Sequence, residues 1–223
     1  MPVLEINNIK YAYRKQPVLR GVNAQLELGK MYVILGPSGC GKTTLLSLMG
    51  GLDSPSAGQI LYDGQDIAKS GLAKHRRCHV AFIFQSYNLI DYLTPEENVT
   101  LTSKLPPLPI LEQLGITKAE ARRNVLKLSG GQQQRVAIAR ALASDAQIIL
   151  ADEPTGNLDE DTAGEITAIL KDSAHKSGKC VVVVTHSNEL AKEADVIFRL
   201  RKGELQISTL SGIPPQAASS RNR

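Results

Sequence analysis

Apolar and polar residues follow two patterns along the chain, one typical of strands and one typical of helices. The strand patterns lie at Val3–Ile6, Val22–Leu28, Met31–Leu35, His79–Phe84, Gln147–Ala151 and Cys180–Thr185. The helical patterns cover Thr43–Met49, Gln133–Ala143 and Asp161–Lys176. Met31–Leu35 is continuously apolar, which is typical of a strand buried on both faces of a parallel sheet. Strands that alternate with helices predict an α/β fold with a mostly parallel sheet.

Residues 91–128 break this alternation. Between Ser103 and Pro109, three prolines remove backbone donors and fix φ, so this stretch is predicted not to form regular helix. Thr117 and Glu120 form a capping-box pattern, which predicts that a helix rich in Ala and Arg begins there. We therefore expect a small helical subdomain inserted between the two halves of the α/β core.

Length and composition suit one or two compact globular units, and the motifs described below favour a single domain over residues 1–211. The 223 residues are 42% hydrophobic and 22% charged, enough to bury a sizeable core. The polar end at 212–223 is predicted to be disordered. The net charge of +4 comes without a dense basic block, so no nucleic-acid partner is expected. Three widely spaced cysteines favour a reducing compartment. Neither a leader pattern nor an apolar run of about 18 residues is present, so a membrane role would need another polypeptide.

The most specific motif is a glycine-rich loop after the strand at Met31–Leu35. Its residues are Gly36, Pro37, Ser38, Gly39, Cys40, Gly41, Lys42 and Thr43, followed by Thr44. They match the phosphate-loop pattern G-x-x-x-x-G-K-[ST] in its expected strand-to-helix context. Backbone N–H groups can surround a polyphosphate, Lys42 can reach the β- and γ-phosphates, and the Thr43 hydroxyl can bind Mg²⁺. Cys40 is interpreted as a tolerated small residue rather than a redox-sensitive group.

A second motif is the acidic pair Asp152-Glu153, directly after a buried apolar strand. Carboxylates at the carboxyl end of a parallel strand lie where α/β sheets bind ligands. Asp152 can hold the Mg²⁺ shell through water, and Glu153 can accept a proton from an attacking water. The alternative is that both acids cap the next segment. Together with the phosphate loop, the pair favours phosphoryl chemistry.

A third motif, Leu128-Ser129-Gly130-Gly131-Gln132, opens a predicted helix. Ser129 can cap that helix, and the glycine pair exposes backbone donors at the positive end of its dipole, which predicts a second anion site. The order of phosphate loop, LSGGQ, ILADEPTGNLD and a strand ending in Thr185-His186 resembles the ATP-binding-cassette ATPases. The resemblance extends from Leu4 to about Leu205.

This resemblance implies a P-loop NTPase core with an N-terminal antiparallel β region, and ATP and Mg²⁺ as ligands. It implies that two chains form a head-to-tail sandwich in which Ser129–Gln132 of one copy complete the ATP site of the other. It further implies that Gln85 contacts Mg²⁺ and the attacking water, and that His186 contacts the γ-phosphate. Asp159 would lie in the loop that links the two active sites.

The resemblance also implies an aromatic residue stacked on adenine. Tyr13 is the preferred candidate because it borders the loop Arg14–Gln16. Tyr11 competes for this role, since residues two apart share a face of a strand.

At finer detail, the chain resembles the ATPase subunits of lipoprotein-release, macrolide-export and antimicrobial-peptide-resistance transporters. The stretch Val99–Leu128 is shorter than in that group. The resemblance implies a cytoplasmic subunit held at the inner face of the cell membrane by a separate permease, which would bind near Gln85–Tyr92. Two alternatives remain at this point: a soluble cassette ATPase acting on nucleic acid or ribosomes, and an assembly ATPase of the iron–sulfur type.

Overall fold

The computed structural model describes residues 1–103, 105–156 and 158–208. The strands are β1 (Leu4–Tyr13), β2 (Gln16–Leu26), β3 (Met31–Leu35), β4 (Ala57–Tyr62), β5 (Gln65–Asp66), β6 (Val80–Ile83), β7 (Ile148–Asp152), β8 (Cys180–Thr185), β9 (Val196–Arg201) and β10 (Glu204–Ser208). The helices are α1 (Lys42–Met49), α2 (Ile67–Ser70), α3 (Leu72–Cys78), α4 (Pro95–Thr100), α5 (Pro107–Gln113), α6 (Lys118–Ala121), α7 (Gly130–Leu142), α8 (Glu160–His175) and α9 (Asn188–Lys192). A 3₁₀ turn covers Val125–Lys127.

The strands form two sheets. One is antiparallel, in the order β2-β1-β4-β5, and the other has the order β10-β9-β3-β8-β7-β6. In the second sheet, the five strands from β9 to β6 run parallel to one another, and β10 pairs antiparallel with β9. The predicted fold class is therefore confirmed, including the antiparallel β region near the N-terminus.

The parallel sheet is buried on both faces, as the continuous apolar strand predicts. Alternate residues of β3 enter different cores: Met31 and Val33 pack with the α7 and α8 side, whereas Tyr32 and Ile34 pack with α1 and the antiparallel sheet. The carboxyl ends of β3, β8, β7 and β6 consequently meet at one edge between these layers. We call this edge, with the loops that leave it, the carboxyl edge.

The helical region between β6 and α7 corrects two predictions. Helix α5 begins at Pro107 and includes Pro109, although this stretch was predicted to be non-helical. Prolines fit there because the N–H groups of the first helical turn have no partner within the helix. The helix that begins after Thr117 has the predicted capping box, but it ends at Ala121 rather than continuing through the arginines.

Several elements have no counterpart in the sequence prediction. They are β4, β5, β9 and β10 and the short helices α2, α3 and α9. The tail at 212–223 lies outside the described residues. Within the part of the chain that the structure describes, no helix is both long and apolar enough to cross a bilayer.

Candidate functional site

The phosphate loop connects β3 to α1 in a conformation that requires glycine. Gly41 precedes α1 with a φ of 103°, and a Cβ there would lie 2.9 Å from Val18 Cγ1. A Cβ on Gly36 would lie 2.5 Å from the carbonyl oxygen of Leu200. No side chain caps the N-terminus of α1. The N–H groups of its first turn therefore stay available to an anion.

Lys42 lies inside this loop. Its side chain is 8% exposed, and Nζ donates hydrogen bonds to the carbonyl oxygens of Gly36 at 2.8 Å and Pro37 at 3.1 Å. The ammonium group is thus held at the centre of the loop by two main-chain acceptors. Ser38, Gly39 and Thr43 are exposed beside it. A phosphate that enters the loop would meet this charge directly.

Asp152, the last residue of β7, faces the same loop. Burial is the main cause that raises the pKa of its carboxyl, and the Glu153 charge adds to this effect. A hydrogen bond with Thr43 and the charge of Lys42 act in the opposite direction. The carboxyl therefore lies within reach of both residues. A half-buried carboxylate beside a threonine hydroxyl suits a cation that takes oxygen ligands, such as Mg²⁺.

Glu153 adopts a strained backbone conformation directly after β7. Its φ is 46°, which is uncommon for a residue other than glycine. Its N–H donates to the carbonyl oxygen of Val184 at 2.9 Å, which ties this position to β8. Strain of this kind persists where the surrounding structure fixes it, and functional sites are such places.

Two neighbours on β8 and the loop after it orient the Glu153 carboxylate. Thr185 Oγ1 donates to Oε2 at 3.0 Å, and His186 Nδ1 lies 3.0 Å from Oε1. The Glu153 side chain is 14% exposed, whereas that of His186 is 74% exposed. Sequence analysis assigned no role to Thr185. The only available signal was a polar residue that closes a run of valines.

Gln85 follows β6 at the neighbouring position of the edge. Its exposed side chain lines a shallow cavity together with Phe84, Ser86 and Asp152. This places Gln85 next to the acidic pair, as the order of parallel strands requires. Lys42, Asp152, Glu153, Gln85 and His186 thus come from separate parts of the sequence to one edge.

Ser129–Gln132 form the first turn of α7. Ser129 Oγ accepts a hydrogen bond from the Gln132 N–H at 3.2 Å, and Gln132 Oε1 accepts one from the Ser129 N–H at 3.0 Å. This capping box leaves the N–H groups of Gly130 and Gly131 at the helix start. Among the described residues, no hydrogen bond links this turn to the phosphate loop of the same chain.

The other two predicted site positions lie at element ends. Asp159 is the N-cap of α8 and accepts a hydrogen bond from the Thr162 N–H at 2.9 Å. Tyr11 donates its hydroxyl to Asp53 Oδ2 at 2.6 Å, whereas the Tyr13 side chain is 66% exposed at the end of β1. Since Tyr11 is already engaged, this geometry favours Tyr13 as the aromatic residue available to a ligand.

Comparison with known proteins gives consistent results. The family model described as "ABC transporter" matches residues 19–156. The chain is 45% identical over 219 residues to an uncharacterized ABC transporter ATP-binding protein, YclH, of Bacillus subtilis, covering 93% of this chain and 97% of YclH. It is also 40% identical to the macrolide export ATP-binding/permease protein MacB 2 of Aeromonas hydrophila. That match covers 92% of this chain but only 34% of MacB 2.

Solved structures show the same architecture. The dimeric bacterial ABC transporter cassette MJ0796 superposes with a TM-score of 0.86 at 37% identity, covering 94% of this chain and all of that one. A second structure of MJ0796, described as a post-hydrolysis state bound to ADP and Pi, gives a TM-score of 0.84 at 36% identity over 94% of this chain and 100% of that chain. The relatives are transporter cassettes, which favours the transporter interpretation over a nucleic-acid or assembly role.

Proposed function

Since this chain belongs to the ABC transporter family as an ATP-binding cassette, we propose that it hydrolyses Mg-ATP between two copies of itself and thereby drives a separate membrane permease. In this proposal, residues 1–211 act as one cassette, with the helical region at about 91–128 as an insertion. The cassette would lie at the inner face of the cell membrane, held there by the permease.

ATP binds in the phosphate loop. Backbone N–H groups of Gly36–Thr44 surround the phosphates, and Lys42 exchanges its two carbonyl partners for the β- and γ-phosphate oxygens. That exchange is favoured because a phosphate is a charged acceptor and a carbonyl is not. The exposed ring of Tyr13 stacks on adenine, since a free aromatic face suits a base.

Thr43, Gln85 and Asp152 are the residues that would hold Mg²⁺, directly or through water. The fit is supported by the oxygen donors that meet here, the half-buried Asp152 carboxyl with the Gln85 amide in one cavity, because Mg²⁺ prefers oxygen ligands. When bound, the ion supplies charge neutralisation to the phosphate oxygens.

Glu153 is the general base. It accepts a proton from the water that attacks the γ-phosphorus, and the bond to the bridging oxygen breaks to release ADP. Thr185 and His186 keep the carboxylate aimed, and the largely exposed His186 contacts the γ-phosphate. The observation that carries the proposal is this carboxylate, fixed from two directions next to a complete phosphate loop.

A second copy completes the site. The turn Ser129–Gln132 presents the N–H groups of Gly130 and Gly131, but among the residues that the structure describes no hydrogen bond links this turn to the phosphate loop of the same chain. A head-to-tail pair would bring it to the partner's nucleotide, with Asp159 near the contact between the sites. The dimeric form of the MJ0796 cassette supports this arrangement.

The permease docks in a groove between the parallel sheet and the helical region. The groove has a volume of about 670 Å³ and is lined on one wall by Phe82 and Phe84 and on another by Leu101 and Arg140. Phe84 of this lining directly precedes Gln85 in the chain, so movement in the groove can reach the nucleotide. The fusion of a related cassette with a permease in MacB 2 supports a membrane partner.

Steady-state hydrolysis by the purified protein tests the chemistry. Glu153→Gln should keep ATP binding and lower turnover by about 10²–10⁴-fold, as expected for loss of a general base. Glu112→Gln removes an exposed carboxylate on α5 and should hydrolyse ATP at the wild-type rate. Near-normal turnover by Glu153→Gln would remove Glu153 from this role.

Copurification tests the partner. Tagged Glu153→Gln protein, loaded with Mg-ATP and isolated from detergent-solubilised cells, should bring a multi-spanning membrane protein in stoichiometric amount. Leu101→Asp should prevent this, whereas Ile207→Asp, at an equally exposed position (55% and 56%) on β10, should not. Recovery of soluble proteins or nucleic acid alone would overturn the transport assignment.

A further inference from the structure

The segment after Gln85 has an unusual backbone. Tyr87 and Asn88 both have positive φ, 60° and 54°. Two consecutive residues of this kind are costly unless they are glycines, because their Cβ atoms crowd the backbone. We call residues 86–90 the strap. Something outside the strap has to hold it in this conformation.

Arg140 of α7 provides that hold. It lies 53 and 52 positions from Tyr87 and Asn88, and its guanidinium donates to the carbonyl oxygens of both, at 3.2 Å from Nη2 and 2.7 Å from Nη1. Within the described part of the chain, no carboxylate forms an ion pair with Arg140. Burial lowers the pKa of its guanidinium. A desolvated cation that donates to neutral carbonyls stabilises a backbone conformation and does not neutralise an acidic group.

The strap touches two other parts of the molecule. At its far end, the fully buried Asn98 of α4 accepts from the Ile90 N–H at 2.8 Å and donates to the Ile90 carbonyl at 3.2 Å. In its middle, the Tyr87 hydroxyl lies 3.0 Å from where a Cβ on Gly130 would stand. The strap therefore connects Gln85 to α4 and to the first turn of α7.

We propose that Arg140 is a positioning residue that fixes the strap. By doing so it sets the placement of Gln85 and the distance between Gln85 and the Ser129–Gln132 turn of the same copy. The part concerning Gln85 rests on the proposed function. Arg140 also lines the groove, so an occupant of the groove would act on the strap through it. A purely structural Arg140 would affect stability but not the catalytic rate of the folded protein.

The test compares Arg140→Met, Arg140→Lys, Gln85→Ala and the double variant Gln85→Ala/Arg140→Met. Arg199→Met, at an exposed arginine on β9, is the matched control. Amide hydrogen exchange of residues 87–90 in nucleotide-free protein reports the strap, because the N–H groups of Tyr87, Asn88 and Ile90 are hydrogen-bonded. ATP affinity and steady-state kcat report the site.

Arg140→Met should speed strap exchange about tenfold and lower kcat about 10- to 100-fold, with ATP affinity within about twofold of wild type. Arg140→Lys should show smaller changes in strap exchange and in kcat than Arg140→Met, since an ammonium can still donate to the carbonyls. The double variant should be no slower than Gln85→Ala, because the two residues act in series. Arg199→Met should match wild type.

Unchanged strap exchange in Arg140→Met, or losses that multiply in the double variant, would overturn the proposal. If Arg140→Met does not fold, the Lys variant decides by the same two measurements. If wild-type protein fails to hydrolyse ATP, the proposed function falls, and the exchange measurement still decides whether Arg140 holds the strap.

Discussion

Helix α1, which starts from the carboxyl edge, and two helices of the helical region (residues 94–127) begin in different ways. At the edge, α1 begins at Gly41 without any side-chain cap. In the helical region, α4 and α6 each begin with a full capping box, from Thr94 and from Thr117. The start of α1 thus leaves backbone donors available for a ligand, whereas α4 and α6 satisfy theirs with side chains.

The difference shows where binding capacity and where stability reside. A helix of four residues such as α6 cannot persist on propensity alone, so its cap and its link from Glu120 Oε1 to Gln132 Nε2 at 2.6 Å are structural necessities. The edge instead contains a buried lysine, a raised-pKa carboxyl and a residue of positive φ. These features disfavour the empty folded state and suit a charged ligand.

The largest expected effect is the loss of ATP affinity when a lysine is removed at the edge, compared with the removal of a lysine elsewhere in the molecule. Lys42→Ala should lower ATP affinity at least about 100-fold and abolish measurable hydrolysis, because it removes the cation from the loop. Equilibrium ATP titration and steady-state turnover measure this. The matched control is Lys179→Ala, which removes a half-buried lysine that also donates to two carbonyls, those of Ser144 and Ala146.

Lys179 precedes β8 and therefore lies at the opposite end of the strands. Its removal leaves two carbonyls without a donor, at a cost of about 1–3 kcal/mol of unfolding free energy, and should leave ATP affinity unchanged. If both lysine variants lose ATP affinity equally, the loss reflects general destabilisation and not a phosphate contact.

The next effect concerns the start of α7, which directly follows the helical region and is proposed to contact the edge of the partner copy. Ser129→Arg should lower hydrolysis about 100-fold, because a bulky cation at the start of α7 obstructs the site of the partner copy. Its own phosphate loop is intact, so ATP affinity should stay within about twofold of wild type. A filter-binding assay and a turnover assay separate these two quantities.

Mixing provides a sharper form of this test. In a pair of Ser129→Arg with Glu153→Gln, one site combines an intact Glu153 with an intact Ser129. Equal mixing should restore up to about a quarter of the wild-type rate if copies pair at random and sites act independently. A mixture as inactive as either variant alone would contradict completion of the site by a second copy.

A smaller effect is expected within the helical region. Thr117→Ala should lower the free energy of unfolding by about 1 kcal/mol, the usual contribution of an N-cap, and the melting temperature by about 2–4 °C. ATP affinity should not change. Lys118→Ala, an exposed position on the same helix, should stay within about 0.5 kcal/mol of wild type. An equal loss in both variants would show that the effect is not specific to the cap.

The two regions also differ in how far the sequence predicts them. The residues of the edge are well predicted from the ends of the strand patterns, because the residue after a buried parallel strand has to lie at the carboxyl side of the sheet. The helical region consists of short helices, which depend on contacts with the rest of the protein. The strap that precedes it is held by Arg140 from 52 positions away, and no local pattern signals this contact. Proline at the start of α5 was misread because its effect depends on its position within the first turn.

Strands β4, β9 and β10 were missed for a related reason. The exposed first half of β4 is Ala-Gly-Gln, and β9 and β10 each carry two exposed polar residues. The apolar pattern is therefore weak, and pairing with neighbours decides the conformation. Thr185 illustrates the limit within the site itself. Its place on β8 was predicted, but its bond to Glu153 depends on the adjacency of β7 and β8, which the order of elements along the chain does not specify.

The smallest expected effect concerns the stability of the nucleotide-free edge. Burial raises the pKa of the Asp152 carboxyl above its ordinary value of 3.8, so the folded state favours the protonated form. At acid pH, Asp152 is protonated in the folded and unfolded states and affects stability little. As pH rises through the folded-state pKa, the ionised carboxylate stays in a poorly solvated position, and stability is lost. Asp152→Asn should therefore raise the melting temperature near neutral pH, by at most about 3 °C because solvent screens a half-exposed group.

This gain should shrink as the pH is lowered toward 4–5, and thermal unfolding at several pH values measures it. Asp145→Asn, at an exposed carboxylate, should show no such trend. A melting temperature of Asp152→Asn that lies below wild type at neutral pH would mean that the Thr43 hydrogen bond and the Lys42 charge outweigh burial. The Asp152 carboxyl would then stabilise the nucleotide-free protein. It would not belong to the features of the edge that disfavour the empty folded state.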